Sequence, residues 1–158
     1  MKLSDIGEFG LINRVRKWMP SSDSALVRGI GDDVAVMEMG TRALLATTDT
    51  LIEDIHFERS WTDPYRLGKK SLAVNLSDIA AMGGTPKYFL ISLGLPKRLP
   101  LSFISRFYLG LKETAKRYRV DLVGGNTSLS EKMMITVCLL GEGIKKDLLF
   151  RNGARVGY

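Results

Sequence analysis

The sequence predicts an α+β fold in which a mixed sheet is backed by helices on one face. Three observations carry this. Segments with apolar residues at helical spacing are interleaved with short β-prone runs, without the strict rhythm of a doubly wound parallel sheet. The run 133–141 alternates in character, which marks a strand with two unlike faces. The 158 residues are enough for one domain with a real core and too few for two. A sheet backed on one side only leaves its other face needing cover, from a second copy or from another domain.

The elements follow in order. Phe9, Leu11, Ile12, Val15 and Trp18 recur at helical spacing, so 7–18 reads as a helix stopped before Pro20. The stretch "SSDSALVRGIG" is polar and glycine-containing and reads as a loop. Two β-prone runs, 34–39 and 42–48, meet at Gly40-Thr41 as a hairpin, and 52–57 reads as a further strand. Asp63 caps and Pro64 opens a helix that runs to about Met82, where Gly83-Gly84 ends it. Its apolar face is Leu72, Ala73, Leu76, Ile79 and Ala80, with Asn75 and Asp78 on another face. A mostly apolar strand spans 87–95 and is closed by Pro96. A second amphipathic helix spans 100–119, with Phe103, Phe107, Leu111 and Ala115 along one side. Leu122-Val123 then enters "GGNTS", which reads as a glycine turn.

Composition narrows the function. Hydrophobic residues make up 45% and charged residues 25%, an ordinary globular balance. No apolar run approaches the ~20 residues of a membrane-spanning helix, and the start "MKLSDIGEFG" has no apolar signal core. Cys138 is the only cysteine, which excludes an internal disulfide framework, and inside a strand it reads as a small buried hydrophobe. A soluble, cytoplasmic chain is expected. The formal net charge is +6, but the cations are scattered in pairs such as Arg16-Lys17, Lys69-Lys70 and Lys145-Lys146. None is interleaved with aromatic residues as a base-stacking platform would be, so no nucleic-acid partner is expected. The ending "RNGARVGY" reads as a chain stopped at a domain junction.

Acidic and amide side chains mark the candidate chemistry. Asp32 and Asp33 in "GIGDDVAV" begin a strand, Asp49 in "ATTDT" ends one, Asp78 stands late in a helix, and Asn126 sits in "GGNTS". A carboxylate late in a helix opposes the helix dipole, at a cost of a few tenths of a kcal/mol or more, which a nearby cation would offset. Magnesium suits such dispersed aspartates, since it takes hard oxygen ligands, keeps waters and shares substrate phosphates. The glycine turns could bring backbone N–H groups to phosphate oxygens. The chain has no GxxxxGK[ST] loop, no GxGxxG after a strand, no GxSxG elbow and no Cys/His spacing for zinc. His56 is the only histidine.

The ordered series "GEFGLI", "GIGDDVAV", "TTDTLIEDIHF", "GKKSLAVNLSDIAAMGGTPKYFLISLGLP", "GGNTS" and "RNGARVG" resembles the N-terminal half of the thiamine-monophosphate kinase family. That family lies among the aminoimidazole ribonucleotide synthetase-like ATP enzymes, and the resemblance covers essentially the whole chain. It implies a single N-terminal ATP- and magnesium-binding domain over 1–158, without the second domain that family members carry. It implies magnesium ligands at Asp33, Thr47, Thr48, Asp49, Asp78 and Asn126, the last standing where many relatives have Asp. His56 matches a thiamine monophosphate contact. Tyr108, Gly125, Asn126 and Arg151 match ATP-contacting positions. No residue is assigned as a catalytic acid, base or nucleophile.

The implied reaction transfers the γ-phosphoryl group of ATP to the phosphate of thiamine monophosphate, giving thiamine diphosphate. Bringing two anions together is mainly a task of positioning and charge neutralisation. One of Asp32 and Asp33, taken as Asp33, faces the metals, and the other turns to backbone or solvent. The resemblance also implies a homodimer through the open sheet face. Two alternatives remain: another enzyme of the same ATP superfamily, or a truncated, non-catalytic nucleotide-binding or dimerisation module. The family has Asp where this chain has Tyr158.

Overall fold

The computed structural model describes residues 2–153 and 155–157. Tyr158 therefore lies outside the described residues. A six-stranded sheet is formed by β1 (Leu26–Arg28), β2 (Ala35–Met39), β3 (Arg42–Ile52), β4 (Thr85–Leu95), β5 (Asp121–Leu129) and β6 (Met134–Ile144), in the order β1-β2-β3-β6-β4-β5. Every neighbouring pair is antiparallel except β4 and β5, which are parallel. The helices are α1 (Gly7–Trp18), α2 (Pro64–Ala81) and α3 (Leu101–Tyr118), and α3 is the crossover between the two parallel strands. This is the mixed sheet with helices that the sequence predicts.

Strand alternation builds the core. Val36 on β2, Leu45 on β3, Ile135, Val137 and Leu139 on β6, and Phe89, Ile91 and Leu93 on β4 are all buried. They meet Leu72 and Ile79 of α2, and Phe107 and Leu111 of α3 belong to the same core. Burying each such side chain is worth roughly 1.5–3 kcal/mol. The intervening residues point to the opposite face. There Tyr88, Leu90 and Met134 remain exposed, and no described helix covers them.

Local signals set the helix ends. The Asp63 carboxylate accepts from the amides of Tyr65 and Arg66 and so caps α2, which opens with Pro64. At the other end the Gly83 amide donates to the Ala80 carbonyl and the Gly84 amide to Ile79, with Gly83 at φ 71. α2 and α3 then cross at glycines. A Cβ on Gly68 would stand 2.0 Å from the Phe107 carbonyl oxygen, and one on Gly110 1.9 Å from that of Tyr65. The helices touch backbone to backbone, with Lys69 Nζ 2.9 Å from Glu113 and the Tyr65 hydroxyl donating to the same carboxylate. The helix α1 has its expected span but buries none of its residues.

Six expectations are corrected. The loop before "GIGDD" contains the short strand β1, paired with β2. Residues 52–57 are not a separate strand. β3 runs unbroken to Ile52 because β6 pairs with it along its whole length, and Asp54 at φ 67 then folds the chain back. Asp49 consequently lies inside β3 rather than at its end, and Asp32 and Asp33 precede β2, which begins at Ala35.

The stretch "GGNTS" is not a turn but part of β5, paired with 90–94 of β4. A Cβ on Gly125 would stand 1.9 Å from the Ile91 carbonyl oxygen, so this glycine serves close strand approach. The buried face of α2 is also rotated from its expected position: Asn75 is fully buried, while Ala73 and Ala80 are exposed. Packing under α3 and over the sheet selects that face.

Candidate functional site

The loop before β2 separates the two adjacent aspartates. Gly31 takes φ 121, which only glycine adopts easily, and the loop turns Asp32 inward and Asp33 outward. The Asp32 carboxylate accepts the Asp33 amide at 3.1 Å and lies 3.5 Å from Arg28 Nε. The Asp33 carboxylate is gripped by the fork of Arg151, whose Nε donates to Oδ2 at 3.2 Å while Nη2 donates to Oδ1. That guanidinium holds the Asp33 carboxyl below the usual carboxylate range. Arg28 also stacks on the Phe150 ring, 4.8 Å from its centroid, and Nη2 lies 3.4 Å from Asn152 Oδ1. The segment 150–152 is thereby tied to the loop.

β3 and α2 supply the rest of this group. Thr47 and Thr48 point to opposite faces of the sheet. The Thr47 hydroxyl donates to Asp78 Oδ2 at 2.7 Å, and the Thr48 hydroxyl donates to the Val137 carbonyl at 3.1 Å. Burial pushes the Asp78 carboxyl up, the Thr47 hydroxyl opposes this, and the negative charges of Asp49 and Asp33 add to the rise. Asp49, Asp33 and Arg151 therefore all act on Asp78. A cleft of about 740 Å³ is lined by Arg16, Asp32, Asp33, Thr47 and Thr48 among others. The donors are hard oxygens, as magnesium requires. Among the described residues no three carboxylate, imidazole or thiolate groups converge to enclose a metal. The set is open, and it would suit an ion that completes its shell with water and phosphate.

A second cleft, of about 360 Å³, brings Tyr108 of α3 to Gly125 and Asn126 of β5. The Tyr108 phenol is half-buried, and burial pushes its pKa up. Sheet register relates the two clefts. Asp49 faces Val137, Val137 faces Ile91, and Ile91 faces Gly125, so Asp49 and Gly125 share one transverse row. Three strand spacings separate them, about 14 Å along the sheet. His56 stands apart on the loop after β3, and no described hydrogen bond or cleft joins it to either group. Arg28 and Glu53 are structural members that the sequence reading does not single out. An acid within the apolar run "TLIEDIHF" is the signal that would have flagged Glu53.

The comparisons with known proteins agree with this frame. Residues 31–143 match the family model described as AIR synthase related protein, N-terminal domain. The thiamine-monophosphate kinase of Aquifex aeolicus is 45% identical over 99% of this chain and 48% of its own length. That of Bacillus subtilis is 41% identical over 94% of this chain and 46% of its own length. The solved structure of AaThiL complexed with AMPPCP and TMP superposes with a TM-score of 0.90 at 45% identity, covering 99% of this chain and 48% of that one. The chain thus spans about half the length of the curated relatives it matches. On the match over 31–143, the chain belongs to the AIR synthase related protein family, as its N-terminal domain.

Proposed function

We propose that this chain is the ATP- and magnesium-binding N-terminal domain of a thiamine-monophosphate kinase, a cytoplasmic enzyme that phosphorylates thiamine monophosphate to thiamine diphosphate. The observation that carries this reading is an open cleft lined by Asp33 and Thr47, where Arg151 grips Asp33, Thr47 holds the part-buried Asp78, and the charges of Asp49 and Asp33 bear on Asp78. Clustered carboxylates with one raised by burial and like charge call for a cation. The similarity to the Aquifex aeolicus and Bacillus subtilis kinases, and to a structure complexed with AMPPCP and TMP, supports the choice of reaction.

In this reading Asp33, Asp49 and Asp78 hold magnesium, with the Thr47 hydroxyl and the Thr48 backbone carbonyl as further oxygen donors. Magnesium supplies charge neutralisation between two phosphate-bearing reactants. Arg151 leaves Asp33 to hold a phosphate oxygen. Tyr108 and the β5 backbone at Gly125 and Asn126 receive the nucleotide, and Asn126 offers metal a carbonyl oxygen without charge. His56 contacts thiamine monophosphate. The exposed sheet face with Tyr88, Leu90 and Met134 seats a second copy, making a homodimer.

Calorimetric titration of the chain with AMPPCP, with and without magnesium, tests this. The expected result is nucleotide binding that requires magnesium and disappears in Asp78→Asn. Binding absent from the folded chain under both conditions would overturn the reading. Thiamine diphosphate formation by the chain alone, assayed in parallel, tells whether this domain contains a sufficient site.

A further inference from the structure

The loop beyond β3 carries His56, the chain's only histidine, and one hydrogen bond reaches its ring. The Ile52 amide donates to His56 Nδ1 at 3.0 Å, and the His56 amide donates back to the Ile52 carbonyl at 2.8 Å. The Asp54 amide donates to the Phe57 carbonyl at 2.8 Å, and Phe57 anchors the return of the loop in the core. Asp54 adopts φ 67, a left-handed conformation that non-glycine residues keep only where their surroundings enforce it. Lys132 Nζ holds its carboxylate at 2.9 Å, and Lys70 Nζ donates to the His56 carbonyl at 2.9 Å.

Glu53 lies beneath this loop and is only 7% exposed. Each of its carboxylate oxygens has a donor: Arg59 Nε on Oε1 and the Met133 amide on Oε2, both at 2.7 Å. The Glu53 amide donates to the Met133 carbonyl at 2.9 Å. One buried carboxylate thereby ties both ends of the loop, residues 53 and 59, to the chain entering β6. A buried charge with both oxygens paired is rigid, because releasing either partner strands it. A neutral imidazole whose Nδ1 accepts a hydrogen bond carries its proton on Nε2. The exposed ring of His56 therefore presents a single donor, Nε2–H.

We propose that Glu53, acting with Arg59, is a positioning residue that locks His56 as the Nε2–H tautomer on a rigid loop. The ring then offers one neutral donor to an anionic oxygen of the acceptor. A donor fixed in advance loses little freedom on binding, which is where its contribution to affinity lies. Equating that oxygen with the phosphate of thiamine monophosphate rests on the functional reading above; the lock itself does not.

Because His56 is the sole histidine, its ring nitrogens are unambiguous in long-range ¹H–¹⁵N spectra of the labelled chain. At pH 8, without nucleotide, the wild type is expected to show one tautomer, unprotonated at Nδ1. Arg59→Gln keeps the Glu53–Met133 bonds. It is expected to give a mixture of tautomers and Ile52 amide exchange about 5-fold faster, the factor for one ordinary hydrogen bond, with other amides unchanged. Arg59→Lys, which keeps the charge, restores much of the wild-type signal. Glu53→Gln should act as Arg59→Gln does, and where it fails to fold, the Arg59 variants decide. A wild-type ring protonated at Nδ1, or an Arg59→Gln ring still in one tautomer with unchanged Ile52 exchange, would overturn the lock. Thiamine monophosphate is added last. A locked ring whose Nε2 signals ignore it in the presence of AMPPCP and magnesium refutes the acceptor assignment and leaves the lock standing.

Discussion

Arg151 closes its guanidinium on both carboxylate oxygens of Asp33 across 118 residues of chain. This pair places a cation where the proposed function needs magnesium. It competes with metal for Asp33 and keeps an arginine beside the site, ready for phosphate.

Arg151→Gln should therefore have two opposite effects. Magnesium binding measured without nucleotide should tighten severalfold, because a competing exposed cation has been removed from Asp33. Binding of AMPPCP should weaken by a similar factor or more. Titration calorimetry of each ligand checks this, and a loss of magnesium affinity in the variant would contradict the competition.

Asp78→Asn should trade function for stability. Burial is the largest cause of the raised Asp78 carboxyl, and Asp49 and Asp33 add to it. A folded carboxyl raised above its unfolded value contributes stability below the unfolded pKa and loses it as pH rises through the folded one. At pH 7 the charged side chain therefore burdens the apo fold. The amide can still accept from Thr47 without that charge. Discounted for solvent, the gain is on the order of 0.5 kcal/mol, about 1–2 °C in Tm for a domain of this size. Added magnesium should raise the wild-type Tm and leave the variant unmoved. Scanning calorimetry with and without magnesium reads both effects.

Gly110→Ala should destabilise even though alanine is the better helix former by about 1 kcal/mol. The new methyl would stand 1.9 Å from the Tyr65 carbonyl oxygen, so α2 and α3 must separate. The expected net loss is about 1–3 kcal/mol, measured by urea unfolding. A neutral or stabilising result would mean that the helices do not cross backbone to backbone.

Glu142 sets a small pH dependence of its own. Its carboxylate bridges Lys87 Nζ at 2.9 Å and Arg42 Nη1 at 2.8 Å, spanning β4, β6 and β3. The Lys87 hydrogen bond lowers its pKa most, followed by that of Arg42. A depressed carboxylate contributes stability above its unfolded pKa and loses it as pH falls through the folded value. The Tm difference between wild type and Glu142→Gln should be visible at pH 7 and shrink as the pH falls below the usual glutamate range. A gap that stays constant over that range would assign the effect to packing.

Much of the architecture could be read without coordinates, because it depends on neighbours in the chain. Asp63-Pro64 and Gly83-Gly84 bound α2 through contacts within a few residues, and alternation separates the faces of β6. The ordered motifs placed the chain in its family because they recur as a series. Other features depend on partners distant in sequence. The stretch "GGNTS" looks like a turn until β4 lies against it and demands glycine at 125. Asp49 appears to end a strand until β6 pairs beyond it. The hydrogen bond of Thr47 to Asp78 spans 31 residues, and that of Met133 to Glu53 spans 80. By itself, the sequence determined the fold class, the helix limits and the residue types of the candidate site. Only the tertiary structure decided which aspartate turns inward, which carboxylates share a field and which acid braces His56. Those choices are made by burial and by charges that meet only when the strands pair.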